Sequence, residues 1–139
     1  MEKKKQIRKT YYADAIILRG RGYVFVERLL EPKGLALVGG RRKRGESAVE
    51  CIIREVLGET GAEASVHSVL GIFNDPNRDS RGPSSTTVFV CSAYGILRGE
   101  EGKTRIVELT TEDAWARKDE FVSDHYEIFS FFLQSRRIS

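Results

Sequence analysis

The chain has 139 residues, 40% hydrophobic and 31% charged, which suits one globular domain with its own core and excludes a disordered or fibrous chain. Its net charge of +3 is the small remainder of 23 basic and 20 acidic residues, so charge by itself does not point to nucleic acid. Apolar runs such as Ala15 to Leu18 and Val88 to Val90 are far too short to cross a bilayer.

Residues 1–9, MEKKKQIRK, are basic with no apolar segment behind them; a flexible solvated tail is expected there, not a secretory signal. Tyr11 to Leu18 (YYADAIIL) and Tyr23 to Leu30 (YVFVERLL) are rich in β-branched and aromatic residues, and the RGRG between them predicts a hairpin. Leu35 to Val38 (LALV) is a short apolar run that ends at Gly39-Gly40. Ser47 with Glu50 three residues on is a capping-box signal. Val49, Ile52, Ile53, Val56 and Leu57 then recur at helical spacing, and Gly61 is placed to stop the helix.

A strand is predicted over Ala64 to Phe73, followed by NDPNRDSRGPSS, a loop dense in turn formers. TTVFVCSAY, Thr86 to Tyr94, is the strongest strand signal in the chain. A short strand is expected over Arg105 to Leu109, and a closing helix over Ser123 to Gln134 with Ser123 or Asp124 as its cap. No repeat or linker divides the chain, so residues 1–139 read as one α/β domain, a curved mixed sheet with helices on both sides. Cys51 and Cys91 form no metal or redox spacing, and buried thiols in a reducing cytoplasm are expected.

Glu55 and Glu59 stand one turn apart, so their side chains lie one above the other and repel. A divalent cation offsets that repulsion, and oxygen-only ligands favour Mg²⁺ or Mn²⁺. A solvated acidic face balanced by Arg54 is the other reading of the pair.

The spacing around that pair is more specific. Gly40, five residues, Glu46, seven residues, Arg54-Glu55-Val56, then Glu59, one residue and Gly61-Ala62 resembles the Nudix box. VERLLEPKGLALVGG is similar to the strand and loop leading into that box in ADP-ribose pyrophosphatase-type members. LGIFNDPNRDSRGPSSTTVFV resembles their D-P-x-R-D-P-R-G-H stretch, and SDHYEIFSFFL their closing segment.

The resemblance implies the Nudix fold and Mg²⁺-dependent hydrolysis, with Mn²⁺ as a substitute, of a nucleoside diphosphate linked to another group, such as ADP-ribose. It implies Glu55 and Glu59 as metal ligands with the carbonyl of Gly39, and Arg54 paired with Glu46 to orient them. A carboxylate outside the box is implied too; Glu100, Glu101, Glu108, Glu112, Asp113 and Glu120 are candidates, with Glu112 preferred. Arg28, Arg41, Arg42, Arg44, Arg78 and Arg81 are the candidate substrate contacts. A nucleotide as partner and a homodimer are implied as well, while the cytoplasmic setting rests on the two free thiols.

The chain departs from the family pattern in three places. Gly58 stands where the box has another glutamate. Val38 and Lys43 replace a proline and a glutamate in the loop. Ser80 and Pro83 replace a proline and a histidine further on. A triphosphate or dinucleoside polyphosphate hydrolase is therefore an alternative, as is a weakened module that binds a nucleotide, or RNA through Arg41 to Arg44. Phe73, Tyr94 and Trp115 are expected in the core, His125 in a structural role, and His67 at the surface.

Overall fold

The computed structural model describes residues 8–138, so the first seven residues of the expected tail lie outside it. The two β-branched runs form β1 (Thr10–Arg19) and β2 (Gly22–Arg28), an antiparallel hairpin with Ile17 opposite Val24. The chain then gives β3 (Gly34–Ala36), β4 (Val38–Arg41), α1 (Ala48–Thr60), β5 (Ala64–Phe73), β6 (Ser84–Ala93), β7 (Thr104–Leu109), α2 (Thr111–Ala116) and α3 (His125–Ile138), with one 3₁₀ turn at Lys118–Glu120. The sheet runs β3-β2-β1-β6-β5, with β4 also on β1 and β7 also on β2. Among the strand pairs of the described residues, β1 and β6 run parallel and the others antiparallel, so the sheet is mixed. The LALV run is split between β3 and β4, because the amide of Leu37 leaves the sheet to donate to Nδ1 of His125 at 2.9 Å.

Alternation along β1 builds two cores, as the two-residue period of a strand requires. Ala13, Ala15 and Ile17 face α1, where they meet Cys51, Ile52 and Val56. Ile16 faces the other side, where Ile128, Phe129 and Phe132 of α3 pack with Phe25 and Val88. Phe25 and Phe129 lie stacked with ring centroids 5.2 Å apart. The sheet is thus covered on both faces, as the patterning predicts.

Helix α1 is fixed at both ends. Ser47 Oγ accepts from the Glu50 amide at 3.1 Å, and Glu50 Oε1 accepts from the Ser47 amide at 3.0 Å. Gly61 closes the helix in the left-handed region at φ 75°, its amide donating to the Leu57 carbonyl. The apolar face is narrower than predicted. Val49, Ile53 and Leu57 are exposed, because the stripe that meets the sheet runs through Cys51, Ile52 and Val56.

Helix α2 has no counterpart in the sequence reading. It is six residues long and depends on Thr110, whose Oγ1 accepts from the Asp113 amide at 3.1 Å. Of the aromatics expected inside, Tyr94 is 71% exposed and Trp115 is 61% exposed, the latter lying under the ammonium of Lys118. Phe73 is half-buried, edge-on to Phe131. Cys51 and Cys91 are buried free thiols.

Gly58 is exposed on α1, and a Cβ there would meet nothing within 4 Å. Glycine in a helix interior costs backbone entropy that alanine does not. Gly58→Ala is therefore expected to stabilise the fold by about 0.5–1 kcal/mol. A raised denaturant midpoint at unchanged slope is the outcome that checks it.

Candidate active site

The site begins where α1 meets the end of β4. Gly39 and Gly40 pair across to Asp14 and Ala13 of β1. A Cβ on Gly40 would fall 2.5 Å from the carboxyl carbon of Glu55, and one on Gly39 would run into Asp14 Oδ1 and the Ala13 carbonyl. Two glycines here let a carboxylate of the helix rest directly on strand backbone.

Arg54 holds that contact. Its Nε and Nη2 bind the two oxygens of Glu46 at 2.7 and 2.8 Å, its Nη1 binds Glu55 Oε1 at 2.7 Å, and its Nη2 also reaches the Arg41 carbonyl at 3.1 Å. The fork ties the loop after β4 onto α1, the pairing that the box implies. Arg54, donating to both of its oxygens, brings the Glu46 carboxyl down to about 2, helped by the Lys43 amide.

Glu59 behaves in the opposite way. Its Oε2 accepts from the Gly39 amide at 3.1 Å. Burial pushes its pKa up to about 8, outweighing that amide, and the charges of Glu55, Asp14 and Glu100 push the same way. A carboxyl so placed lacks a positive counterpart, and a divalent cation would supply one. All of the nearby donors are oxygen, which suits Mg²⁺ or Mn²⁺. Among the described residues, no three His, Cys, Asp or Glu side chains converge on one point. The hydrogen bonds show why: Glu55 leans on Arg54 and Glu59 on Gly39. The contact that Gly39 makes with Glu59 is through its amide, whereas its carbonyl is the atom that the resemblance implies.

Beside this corner lies a cleft of about 110 Å³, lined by Glu59 and Gly39 together with the predicted Arg28, Arg78 and Arg81. The three arginines are not equivalent. Arg78 is buried, paired with Asp124 through Nε at 3.0 Å and Nη2 at 2.9 Å, and bound to Ser84 at 2.5 Å. Its guanidinium is structural. Arg81 forks onto Asp79 but keeps half of its side chain exposed, 5.8 Å over the Tyr12 ring. Arg28 donates to the Pro32 carbonyl at 2.7 Å.

Arg41, Arg42 and Arg44 are not brought to this cleft. They line a separate depression with Lys9 and Tyr11, and Arg42 is turned back onto the Glu46 carbonyl. Glu112 does not reach the cleft either, being exposed in the first turn of α2, a helix that packs on β7. Outside the box the acidic groups that line it are Asp79 and, buried in β1, Asp14, which sequence reasoning passed over. Its signal was a lone charge inside the apolar strand YYADAIIL. Tyr12 and Asp79 line the cleft without having been singled out, and His125 lines it as well as holding Leu37. His67 is exposed, as expected, and meets Ser92.

The NUDIX domain family model matches residues 8–132. An ADP-ribose pyrophosphatase of Methanocaldococcus jannaschii is 35% identical over 94 residues, covering 65% of this chain and 56% of that protein. The chain therefore spans little more than half the length of this curated relative. A NUDIX hydrolase structure from Nitrosomonas europaea aligns with TM-score 0.80 at 18% identity, covering 92% of this chain and 90% of that one. The NUDIX domain of Shewanella oneidensis NrtR, solved with ADP ribose, aligns with TM-score 0.78 at 16% identity over 100% of this chain and 94% of that one. A bifunctional NMN adenylyltransferase/ADP ribose pyrophosphatase from Francisella tularensis, with AMP and a Mn ion, aligns with TM-score 0.79 at 19% identity, covering 92% of this chain and 42% of that one. At these identities the structures show a shared fold.

Arg78→Ala removes a buried guanidinium and leaves buried Ser84 and partly buried Asp124 without it, and is expected to cost about 3 kcal/mol, while Arg81→Ala removes a half-exposed side chain from buried Asp79, which keeps the Arg81 backbone amide, and is expected to cost less, about 1 kcal/mol. Chemical denaturation of the two variants checks the contrast.

The raised Glu59 pKa sets a pH dependence. The folded protein holds a proton that the unfolded chain releases near pH 4.5, so metal-free stability falls as pH rises toward about 8. Glu59→Gln is expected to flatten part of that decline, leaving the share due to Asp14, whose pKa burial also raises. Melting temperatures between pH 5 and 9 in the presence of a chelator measure it.

Proposed function

This chain belongs to the NUDIX family, and from that premise we propose that it is a Mg²⁺-dependent hydrolase, with Mn²⁺ as a substitute, that cleaves the pyrophosphate of a nucleoside diphosphate derivative such as ADP-ribose. One observation carries this reading. Glu59, seated on the Gly39 amide, lines a cleft that Arg28 and Arg81 also line, and Glu55 lies one turn away against Gly40, held by the Arg54 fork.

Glu55 and Glu59 are the residues that would hold the cation. A bound cation would supply charge neutralisation on the pyrophosphate and a lowered pKa for a nearby water; the reaction proposed is addition of water to a phosphorus with cleavage of the P–O bond to the leaving phosphate. Arg54 acts through others, tying the loop down through Glu46 and holding Glu55, while Glu59 rests on the Gly39 amide. Arg28 and Arg81 are the guanidinium groups available to phosphate oxygens, Arg81 carried on the face of Tyr12. The names of the relatives, an ADP-ribose pyrophosphatase and an ADP ribose complex, support the substrate class.

The buried thiols of Cys51 and Cys91 support a reducing, cytoplasmic setting. A homodimer is supported by the open edge of the sheet. Strand β5 carries no charged residue, yet Val69 and Ile72 on it are largely exposed, and bare edges of that kind are normally covered.

A nucleotide panel with Mg²⁺ or Mn²⁺ tests the reading. ADP-ribose or an ADP-sugar is expected to turn over faster than nucleoside triphosphates or dinucleoside polyphosphates, and Glu59→Gln is expected to lower kcat by about 10²-fold or more. Turnover of nothing in the panel, or turnover indifferent to Glu59→Gln, would leave the non-catalytic nucleotide module as the better reading.

A further inference from the structure

Two polar atoms in the cleft have no part in the hydrolytic scheme. Asp14 is buried in the middle of β1, and its Oδ2 accepts from the Thr86 hydroxyl at 2.5 Å. Its other oxygen, Oδ1, lies beside Gly39 and takes no hydrogen bond among the described residues. His125 opens α3, and its Nδ1 accepts from the Leu37 amide at 2.9 Å. That bond settles the tautomer, since an accepting Nδ1 leaves the proton of the neutral ring on Nε2. Burial lowers the pKa of His125, which keeps the ring neutral. Nε2 likewise has no partner among the described residues.

No side-chain nitrogen or oxygen that is shut away from solvent lacks a partner among the described residues. The two unpartnered atoms must therefore open onto free space, and the space that both residues line is the cleft. They are close enough for each charge to act on the other's titration. This wall presents one acceptor and one neutral donor. It has no cation to spare, because the guanidinium of Arg78 is already taken by Asp124 and Ser84. Phosphate oxygens are served instead by Arg28 and Arg81. An acceptor beside a neutral donor matches hydroxyl groups, each of which gives one hydrogen bond and takes another.

We propose that Asp14 and His125 form a subsite for the vicinal hydroxyls of a sugar, Asp14 Oδ1 accepting from one hydroxyl and His125 Nε2–H donating to the oxygen of the next. The cleft would thereby select diphosphates that end in a polyol over those that end in phosphate. This deepens the hydrolase reading and rests on it for the identity of the cleft, so the test measures binding without turnover.

The full chain, free of metal, is titrated with ribose 5-phosphate and with 2-deoxyribose 5-phosphate by calorimetry or ligand-observed NMR, with inorganic phosphate as reference. Ribose 5-phosphate is expected to bind about tenfold tighter than its deoxy analogue, the loss attached to one well-placed hydrogen bond. His125→Asn can still accept from the Leu37 amide but places no donor where Nε2 stood, so the ratio should fall toward one with the melting temperature kept. Should that variant not fold, Asp14→Ala, which removes the acceptor, carries the same test and should lower the ratio too. Equal affinity of the wild type for the two sugars, binding of neither, or a ratio unchanged in the folded variant overturns the proposal. Nucleotide turnover is scored separately. A sugar ratio without hydrolysis sinks the hydrolase reading alone, and hydrolysis with a ratio of one sinks this subsite alone.

Discussion

The closeness of α1 to the Gly39-Gly40 backbone is the constraint on which the rest of the site depends. Side-chain carboxylates are seldom set against strand backbone, because a Cβ keeps them away. Here the strand has none at two successive positions, and the Glu55 carboxyl occupies the room that Gly40 leaves. The Arg54 fork then locks the geometry, since one planar guanidinium satisfies Glu46, Glu55 and the Arg41 carbonyl together. The capping box at Ser47 and Glu50 sets where the helix starts, and so which residues arrive one turn apart over that seat.

Electrostatics around the seat is divided between the two sides of the fork. Glu46 and Glu55 share a permanent cation in Arg54, and Glu46 is held ionised far below neutral pH. Glu59 receives only a backbone amide, and burial with three nearby carboxylates drives its pKa upward. The imbalance is local, since the chain as a whole carries a slight excess of positive charge. The cations of the loop, Arg41 to Arg44, stand next to this helix in sequence yet line their own depression. Proximity along the chain did not become proximity to Glu59. That corner is left short of positive charge, which is the condition a metal ion relieves.

Much of this was legible in the sequence because it rests on local rules. Alternation along β1 and β2, the capping box, Gly61 at the left-handed stop and the fixed spacing of Glu46, Arg54, Glu55 and Glu59 all act within a few residues of one another. What escaped depends on distant partners. The split of LALV is made by His125, 88 residues further on. Arg78 looked like a free loop cation, but Asp124, 46 residues away, takes it. The outward faces of Tyr94 and Trp115 follow from where the sheet and α2 end, which composition does not encode. Asp14 was visible as a charge inside an apolar strand. Only the fold shows that its neighbours are Thr86 and Gly39 and that its free oxygen opens onto a cleft.

Gly58 can be weighed in the same terms. A glutamate lost from a built coordination shell would leave a gap, and the neighbours would have moved to fill it. Nothing of the kind surrounds Gly58, where the space beyond the Cα is open and the position is exposed. Neither Glu55 nor Glu59 takes a hydrogen bond from it, and the Arg54 fork closes without it. The geometry of the seat is therefore independent of residue 58. The glycine acts through the flexibility it gives α1 and through one negative charge fewer near the cation. That charge difference weakens attraction for a divalent ion without altering where the two remaining carboxylates point. The departure from the family pattern would thus bear on how tightly a metal is held, since the contacts of Glu55 and Glu59 do not involve residue 58.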